Sequence, residues 1–229
     1  MEENPLVSVR GEAVLEVEPE TATVDVAVGA RDKDRDRTLQ RVDERSAAVL
    51  ALLSSFGPAV ERVETASVHV GPEFKDGKPN ERIAGYSAVI RHTVTVVAFD
   101  RLGDLLARLA ELEMVDVHGP WWRLRRTSPV YREARMTAAV DAVTRAREYA
   151  EALGSRLVSV VELADSGLLG EAVSPVAPRP VAPMAMAAPG SVRSVAAPVS
   201  FDVEPARQVV RASVEARFRM APPPADRLA

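Results

Sequence analysis

Segments with an apolar residue at every second position recur in pairs along the chain. Residues 6–17 and 21–30 form one pair, and residues 60–74 and 82–98 form another. This spacing is typical of strands that bury one face. We therefore predict two antiparallel hairpins, and Gly11 inside the first strand indicates a bulge or a close approach of another backbone.

Two helices are predicted beside these strands from apolar residues at three- and four-residue spacing. The first follows the charged run 31–37, where Asp34 or Asp36 can cap its start. It ends at Gly57, which favours a left-handed cap. Asp100 is expected to cap the second, shorter helix. Because only one face of the first helix is apolar, that face must pack on a sheet.

The longest predicted helix begins after Ser128, its N-cap, with Pro129 in the first turn, and it ends near Gly154. Small residues recur along it and would let a neighbouring backbone approach closely: Ala134, Ala138, Ala142, Ala146 and Ala150. In one interpretation this alanine stripe packs on the helix's own sheet. In the other it lies in a contact between subunits, which makes Ala138, Ala142 and Ala146 candidate interaction residues.

Three more strands complete the predicted fold. They cover residues 115–125, 157–164 and 206–220, and alternation also occurs at 199–204. The expected class is α+β, with antiparallel sheets covered by about three helices in the order β-β-α-β-β-α-β-α-β-(Pro-rich loop)-β. Residues 6–220 are expected to form a single domain.

A segment rich in proline and alanine, residues 171–198, interrupts this pattern. Its proline density excludes a regular helix or strand. It is predicted to be either a mobile surface loop or an arm that docks on a protein partner, with Met184 and Met186 as adaptable apolar contacts. The tail at 221–229, which contains three consecutive prolines, is expected to be disordered.

The order of these elements, together with several short sequence marks, resembles the SIMPL-domain family of YggE-like proteins. The marks are Val9-Arg10-Gly11, Pro19-Glu20-Thr21-Ala22, Gly85-Tyr86, the helix from Tyr131 to Ala150, and Leu153-Gly154. Two positions depart from the family pattern, because Ala13 stands where relatives usually carry Gly and Glu20 where they commonly carry Asp. The resemblance implies an α+β fold, a tendency to form homo-oligomers, no established catalytic residues, and associations with oxidative-stress defence and signalling.

Composition excludes several classes of protein. The chain is 47% apolar and 27% charged with a net charge of −4, so no global field attracts nucleic acid or anionic lipid. It lacks cysteine and any apolar run long enough to span a membrane. The first residues, MEENPLVSVR, do not form a signal peptide. We therefore expect a cytoplasmic location, although relatives are often periplasmic.

Three histidines fall on predicted strands, at His69, His92 and His118. If those strands were neighbours, the imidazoles could converge on a metal. No carboxylates accompany them at a recognised spacing, and His92 shares a face with apolar residues. A hydrogen-bonded core histidine is the preferred interpretation, and no metal or cofactor is predicted.

The sequence Trp121-Trp122 is followed by a run that contains three arginines. Aromatic residues beside arginines are used to bind single-stranded nucleic acid. Alternate residues of a strand point to opposite faces, however, so these side chains do not form one surface. We predict instead that Trp121 and Trp122 contribute to the core or to an oligomer contact.

Known catalytic motifs, including nucleophile elbows and phosphate-binding loops, are missing from the sequence. The leading hypothesis is a non-enzymatic, self-associating scaffold or interaction protein. The alternative is a small-ligand or stress-responsive binding protein with a pocket between sheet and helices, with His92 or Tyr86 as its polar groups.

Overall fold

The computed structural model describes residues 4–75, 83–168 and 201–224. It confirms the α+β class, with antiparallel strands in two sheets and three α-helices. The elements are β1 (Leu6–Val17), β2 (Thr21–Asp32), α1 (Arg35–Ser55), β3 (Val60–Phe74), β4 (Ile83–Val96), α2 (Leu102–Ala110), β5 (Val115–Arg123), α3 (Pro129–Ala152), β6 (Leu157–Asp165) and β7 (Gln208–Met220).

The described residues fall into two compact units, each with its own sheet. One unit contains residues 4–17, 126–168 and 209–224, and its three strands lie in the order β1-β7-β6. The other contains residues 18–75, 83–125 and 201–208, and its four strands lie in the order β3-β4-β2-β5. That residues 6–220 act as a single domain stays a prediction.

One predicted hairpin is confirmed and the other is wrong. β3 and β4 pair antiparallel along their length. β1 and β2 are consecutive but belong to different sheets. β2 has β4 on one side and β5 on the other, which leaves it no free edge for β1. β1 pairs instead with β7, and the Met220 N–H donates to the carbonyl oxygen of Pro5 at 2.9 Å.

The core of the four-stranded unit lies between its sheet and the helices α1 and α2. The Asp34 side chain caps α1 by accepting from the Arg37 N–H, and Gly57, with φ +55°, follows the end of that helix, as predicted. The cap at Asp100 was predicted wrongly, because the chain enters α2 through a 3-10 turn and no side chain caps the helix. The largest fully buried aliphatic side chains here are Val24, Val26, Val28, Val49, Leu53, Val94, Val96, Leu102, Leu105 and Leu109.

The core of the three-stranded unit lies between its sheet and α3. All five alanines of the stripe are fully buried, and Ala138, Ala142 and Ala146 pack with residues such as Ala13 and Phe218. In this structure the alanine stripe therefore packs on the helix's own sheet, which was the first of the two interpretations. Their role in a contact between chains stays a prediction, and such a contact would require α3 to move off its sheet.

The start of α3 agrees with the prediction. The Ser128 hydroxyl accepts from the Val130 N–H, and Pro129 occupies the first helical position. The alternation at 199–204 does not give a strand in the described residues 201–207, because β7 begins only at Gln208. The segment 171–198, with Met184 and Met186, and tail residues 225–229 lie outside the described residues.

Candidate interaction surfaces

β6 presents an exposed apolar row at the end of the three-stranded sheet. Within the described part of the chain it has a strand neighbour, β7, on one side only. Val158, Val160, Val161 and Leu163 are all exposed, and Val160 has 60% of its surface accessible. An unpaired strand edge with apolar side chains is a recurring site of protein association.

The pairing of β6 with β7 explains why these side chains are apolar. Val160 lies opposite Phe218, and Leu163 lies opposite Ala216. Both β7 residues are buried in the cluster that α3 covers. Directly opposed residues share a face of the sheet. Val160 and Leu163 therefore lie on the same face of the sheet as the buried residues of β7, but they are exposed themselves. Two register shifts along β6 add bulges to this edge.

A groove of about 420 Å³ runs between α3 and β6. Its apolar lining includes Val143 of α3, Leu157 and Val160 of β6, and Phe218 of β7. Charged residues also line it, at Arg147, Glu151 and Arg156. An apolar centre with charged neighbours is the usual composition of a protein interface.

The two tryptophans occupy different environments, as the alternation along a strand predicts. Trp122 packs on the core, and its ring meets that of Phe99 edge-to-face with centroids 4.9 Å apart. Trp121 points away from it and is 42% exposed. Trp122 therefore has a structural role in this fold. An interaction role for either tryptophan stays a prediction.

Of the three arginines that follow the tryptophans, Arg125 is engaged within the four-stranded unit. The Arg125 side chain donates to Glu61 at 2.8 Å, and its backbone N–H donates to Glu20 at 2.8 Å. The bond to Arg125 lowers the pKa of the exposed Glu61 carboxyl. Arg125 is therefore a partner of acidic side chains of the same unit.

His92 is a hydrogen-bonded core histidine, as predicted. Only 2% of its surface is exposed, its Nε2 lies 2.9 Å from the Ser46 hydroxyl, and its Nδ1 lies 3.4 Å from the Thr65 hydroxyl. Burial lowers the pKa of the imidazole. Among the described residues, no group of three or more His, Asp or Glu side chains is arranged to hold a metal ion.

A second cleft of about 420 Å³ lies in the four-stranded unit, between α2, β5 and residues 201–203. Neither His92 nor Tyr86 lines it, so the polar groups expected for a ligand pocket are not at this place. Two walls of the cleft are formed by α2 and β5, both of which the sequence predicts as a helix and a strand. No local pattern indicated that residues 201–203 would form the third.

Another surface cleft, of about 500 Å³, surrounds the start of α3. Its lining includes Arg126, Arg132, Arg135 and Tyr131. The three arginines give this cleft a positive charge. Only Arg126 belongs to the arginine run that follows the tryptophans, whereas Arg132 and Arg135 lie on α3. Across the described residues, no helix combines the length and the hydropathy needed to cross a membrane.

Comparison with known proteins places this fold in a family. The family profile described as SIMPL, protein of unknown function (DUF541), matches residues 7–218. The chain is 29% identical to "Uncharacterized protein YggE" of Edwardsiella ictaluri, over 85% of this chain and 80% of that protein. It is 25% identical to "Uncharacterized protein YggE" of Escherichia coli K12, over 68% of this chain and 63% of that protein.

A third relative has a name that states its location. The "26 kDa periplasmic immunogenic protein" of Brucella melitensis is 27% identical over 69% of this chain and 66% of its own length. None of these names assigns a reaction, a ligand or a partner. Because the family profile matches nearly the whole chain, and the fold has the expected α+β class, this protein belongs to the SIMPL (DUF541) family.

Proposed function

We propose that this chain is a non-enzymatic, self-associating interaction protein and that β6 forms the contact between copies. The observation that carries this proposal is the exposed apolar row on a strand at the end of its sheet. The groove between α3 and β6 adds apolar surface beside the same strand.

Pairing of two copies through β6 would satisfy backbone groups that have no strand partner among the described residues of one copy. Two identical strands related by a twofold axis can pair antiparallel, which would join two three-stranded sheets into one of six strands. Each valine or leucine side chain buried fully in such a contact contributes about 1.5 to 3 kcal/mol. The two bulges restrict which registers can pair.

Light scattering coupled to size exclusion at micromolar concentration tests this proposal. We expect the wild-type chain to have a mass that is a multiple of 24.7 kDa. Val160→Lys adds a charge to the proposed contact and should give a single-chain mass. A wild-type protein that is strictly monomeric would overturn the proposal.

Val140→Lys is the matched control, because Val140 is also exposed, at 66%, but lies on α3 in the same unit. This variant should keep the wild-type mass. Thermal melting followed by circular dichroism should be similar for both variants, since both side chains are exposed. Loss of association in Val140→Lys but not in Val160→Lys would place the contact elsewhere.

A second contact is proposed for the segment 171–198, with Met184 and Met186 as apolar contacts to a protein partner. Deletion of residues 171–198 tests this, because the described strands β6 and β7 lie outside it. The deletion variant should still assemble through β6, but it should no longer bind a protein partner that the full chain binds. A link to stress response rests on the family resemblance alone.

The cytoplasmic location stays a prediction, and the name of the Brucella relative provides the alternative, the periplasm. Fractionation of cells that produce the chain at its natural level separates the two. Recovery with periplasmic markers would overturn the cytoplasmic prediction.

A further inference from the structure

We propose that Asp141 of α3 closes the β1 edge of the three-stranded sheet to strand pairing, which leaves β6 as the edge through which copies of the chain join. This inference rests on the proposed function and deepens it, because it states why pairing through this sheet stops at two copies. All the elements involved, β1, α3, β6 and β7, belong to the same unit.

The three-stranded sheet ends in two edge strands. β1 lies at one end and β6 at the other, and in the described part of the chain each has β7 as its strand neighbour. An edge strand offers its unpaired N–H and C=O groups to another chain. If both edges were open, β6 of one copy could pair with β1 of the next, and such a head-to-tail contact repeats indefinitely unless it closes into a ring. A closed pair of copies therefore requires the two edges to differ.

A side chain of α3 occupies the β1 edge. The Glu12 backbone N–H donates to the Asp141 carboxylate at 2.9 Å. Elsewhere on β1, the Met220 N–H donates to the Pro5 carbonyl oxygen. Because backbone groups of successive residues point to opposite sides of a strand, the odd-numbered residues bond to β7 and the Glu12 amide faces away from it. The carboxylate therefore lies where a further strand would place a carbonyl oxygen.

The Asp141 carboxylate is fixed in this position. The oxygen that accepts from Glu12 also pairs with the Arg145 guanidinium at 2.8 Å, one turn further along the helix. The helix itself lies against β1, since the backbone atoms of Ala138 and Ala142 contact Gly11. A hydrogen bond to a charged acceptor is stronger than one to a neutral acceptor. A strand that displaced Asp141 would have to break this bond and leave the charge inside the new contact, which is unfavourable.

The β6 edge differs from the β1 edge in both respects. α3 lies mainly against β1 rather than β6. The exposed charged residues of β1 are Arg10, Glu12 and Glu16, and charges on an edge strand oppose pairing. The exposed residues of β6 are mostly apolar and include Val160. The sheet therefore has one protected edge and one edge suited to association.

Light scattering across a wide range of protein concentration tests the proposal. Wild type should have a mass of twice 24.7 kDa throughout. Asp141→Ala removes the acceptor, so its mass should exceed two chains and rise with concentration. Asp141→Asn keeps an oxygen that accepts from the Glu12 N–H and should stay at two chains. The matched control is Glu148→Ala, an exposed carboxylate on the same helix, which should also stay at two chains.

The double variant Asp141→Ala, Val160→Lys should have a single-chain mass, because head-to-tail growth also uses β6. In this variant and in Val160→Lys alone, amide exchange measured by NMR reports on the β1 edge without any contact between copies. Loss of a hydrogen bond accelerates exchange, so the Glu12 amide should exchange about tenfold faster when Asp141 is replaced by alanine. Circular dichroism checks that each variant is folded.

The outcomes separate this proposal from self-association. If Asp141→Ala did not grow with concentration, or if Glu12 exchanged at the same rate with and without Asp141, the role of Asp141 would be wrong and pairing through β6 would stand. A wild-type mass that rises with concentration would also contradict closure of the β1 edge, but not self-association. A strictly monomeric wild type would contradict self-association, and with it a limit of two copies.

Discussion

Gly11 of β1 and Ala142 of α3 are in direct backbone contact. A Cβ at residue 11 would lie 2.6 Å from the Ala142 nitrogen and 2.7 Å from its Cβ, and it would overlap the carbonyl oxygen of Ala138. A strand and a helix can approach this closely only when neither carries a large side chain at the crossing. The glycine and the alanine stripe are therefore two halves of one packing arrangement.

Gly11→Ala should destabilise the three-stranded unit. The added methyl group meets backbone atoms, which cannot rotate away, so the strand or the helix must shift. We expect a loss of about 1 to 3 kcal/mol in the free energy of unfolding, the usual cost of overpacking. Urea unfolding followed by circular dichroism measures it.

Gly29→Ala is the control for this substitution. A Cβ at Gly29 would meet only Met114, at an ordinary contact distance of 3.5 Å. The free energy of unfolding of Gly29→Ala should stay within about 0.5 kcal/mol of wild type. Equal effects of the two substitutions would show that the crossing at Gly11 is not tight.

The close approach at Gly11 could be predicted from the sequence because both of its halves are visible as local patterns. A glycine interrupts a strand, and alanines recur along one line of a helix. Gly57 and the Ser128 cap were predictable for the same reason, since caps depend on residues within a few positions.

The pairing of β1 was not predictable, because it depends on a strand about 200 residues away in the sequence. Alternation indicates which face of a strand is buried, but it does not indicate which strand is the neighbour. The third wall of the cleft was missed in the same way, since residues 201–203 reach α2 and β5 only through the tertiary fold.

Gly103→Ala should disturb the third wall of the cleft. The added methyl group would overlap the Phe201 carbonyl oxygen, which must then move away from α2. We expect faster cleavage by protease near residue 201, while the melting temperature falls by a few degrees at most. Unchanged cleavage would contradict the contact between these two backbones.

The two tryptophans should differ strongly in their contribution to stability. Trp122→Ala removes the contact with Phe99 and part of the core, so we expect a loss of about 3 kcal/mol. Trp121→Ala removes an exposed side chain and should cost less than about 1 kcal/mol. Circular dichroism is the appropriate signal for urea unfolding, because either substitution changes the fluorescence. A larger loss of stability for Trp121→Ala than for Trp122→Ala would contradict the placement of Trp122 on the core and of Trp121 at the surface.

His92 should make the stability of the four-stranded unit depend on pH. Burial lowers its pKa in the folded protein below the ordinary value of 6.5, which the unfolded chain retains. Below pH 6.5 the unfolded chain therefore binds a proton that the folded protein does not, and the free energy of unfolding falls as the pH is lowered. The fall ends below the folded pKa, where both states are protonated. Its slope cannot exceed about 1.4 kcal/mol per pH unit for one group.

Urea unfolding at pH 8, 7, 6 and 5 measures this slope. His92→Gln keeps a polar group near Ser46 but cannot take up a proton, so it should be less stable at pH 8 and should lose the part of the slope that His92 causes. His69→Gln is the control, because His69 is exposed on β3, and it should keep the wild-type slope. If His92→Gln retained the full slope, the loss of stability at low pH would come from other groups and not from the burial of the His92 imidazole.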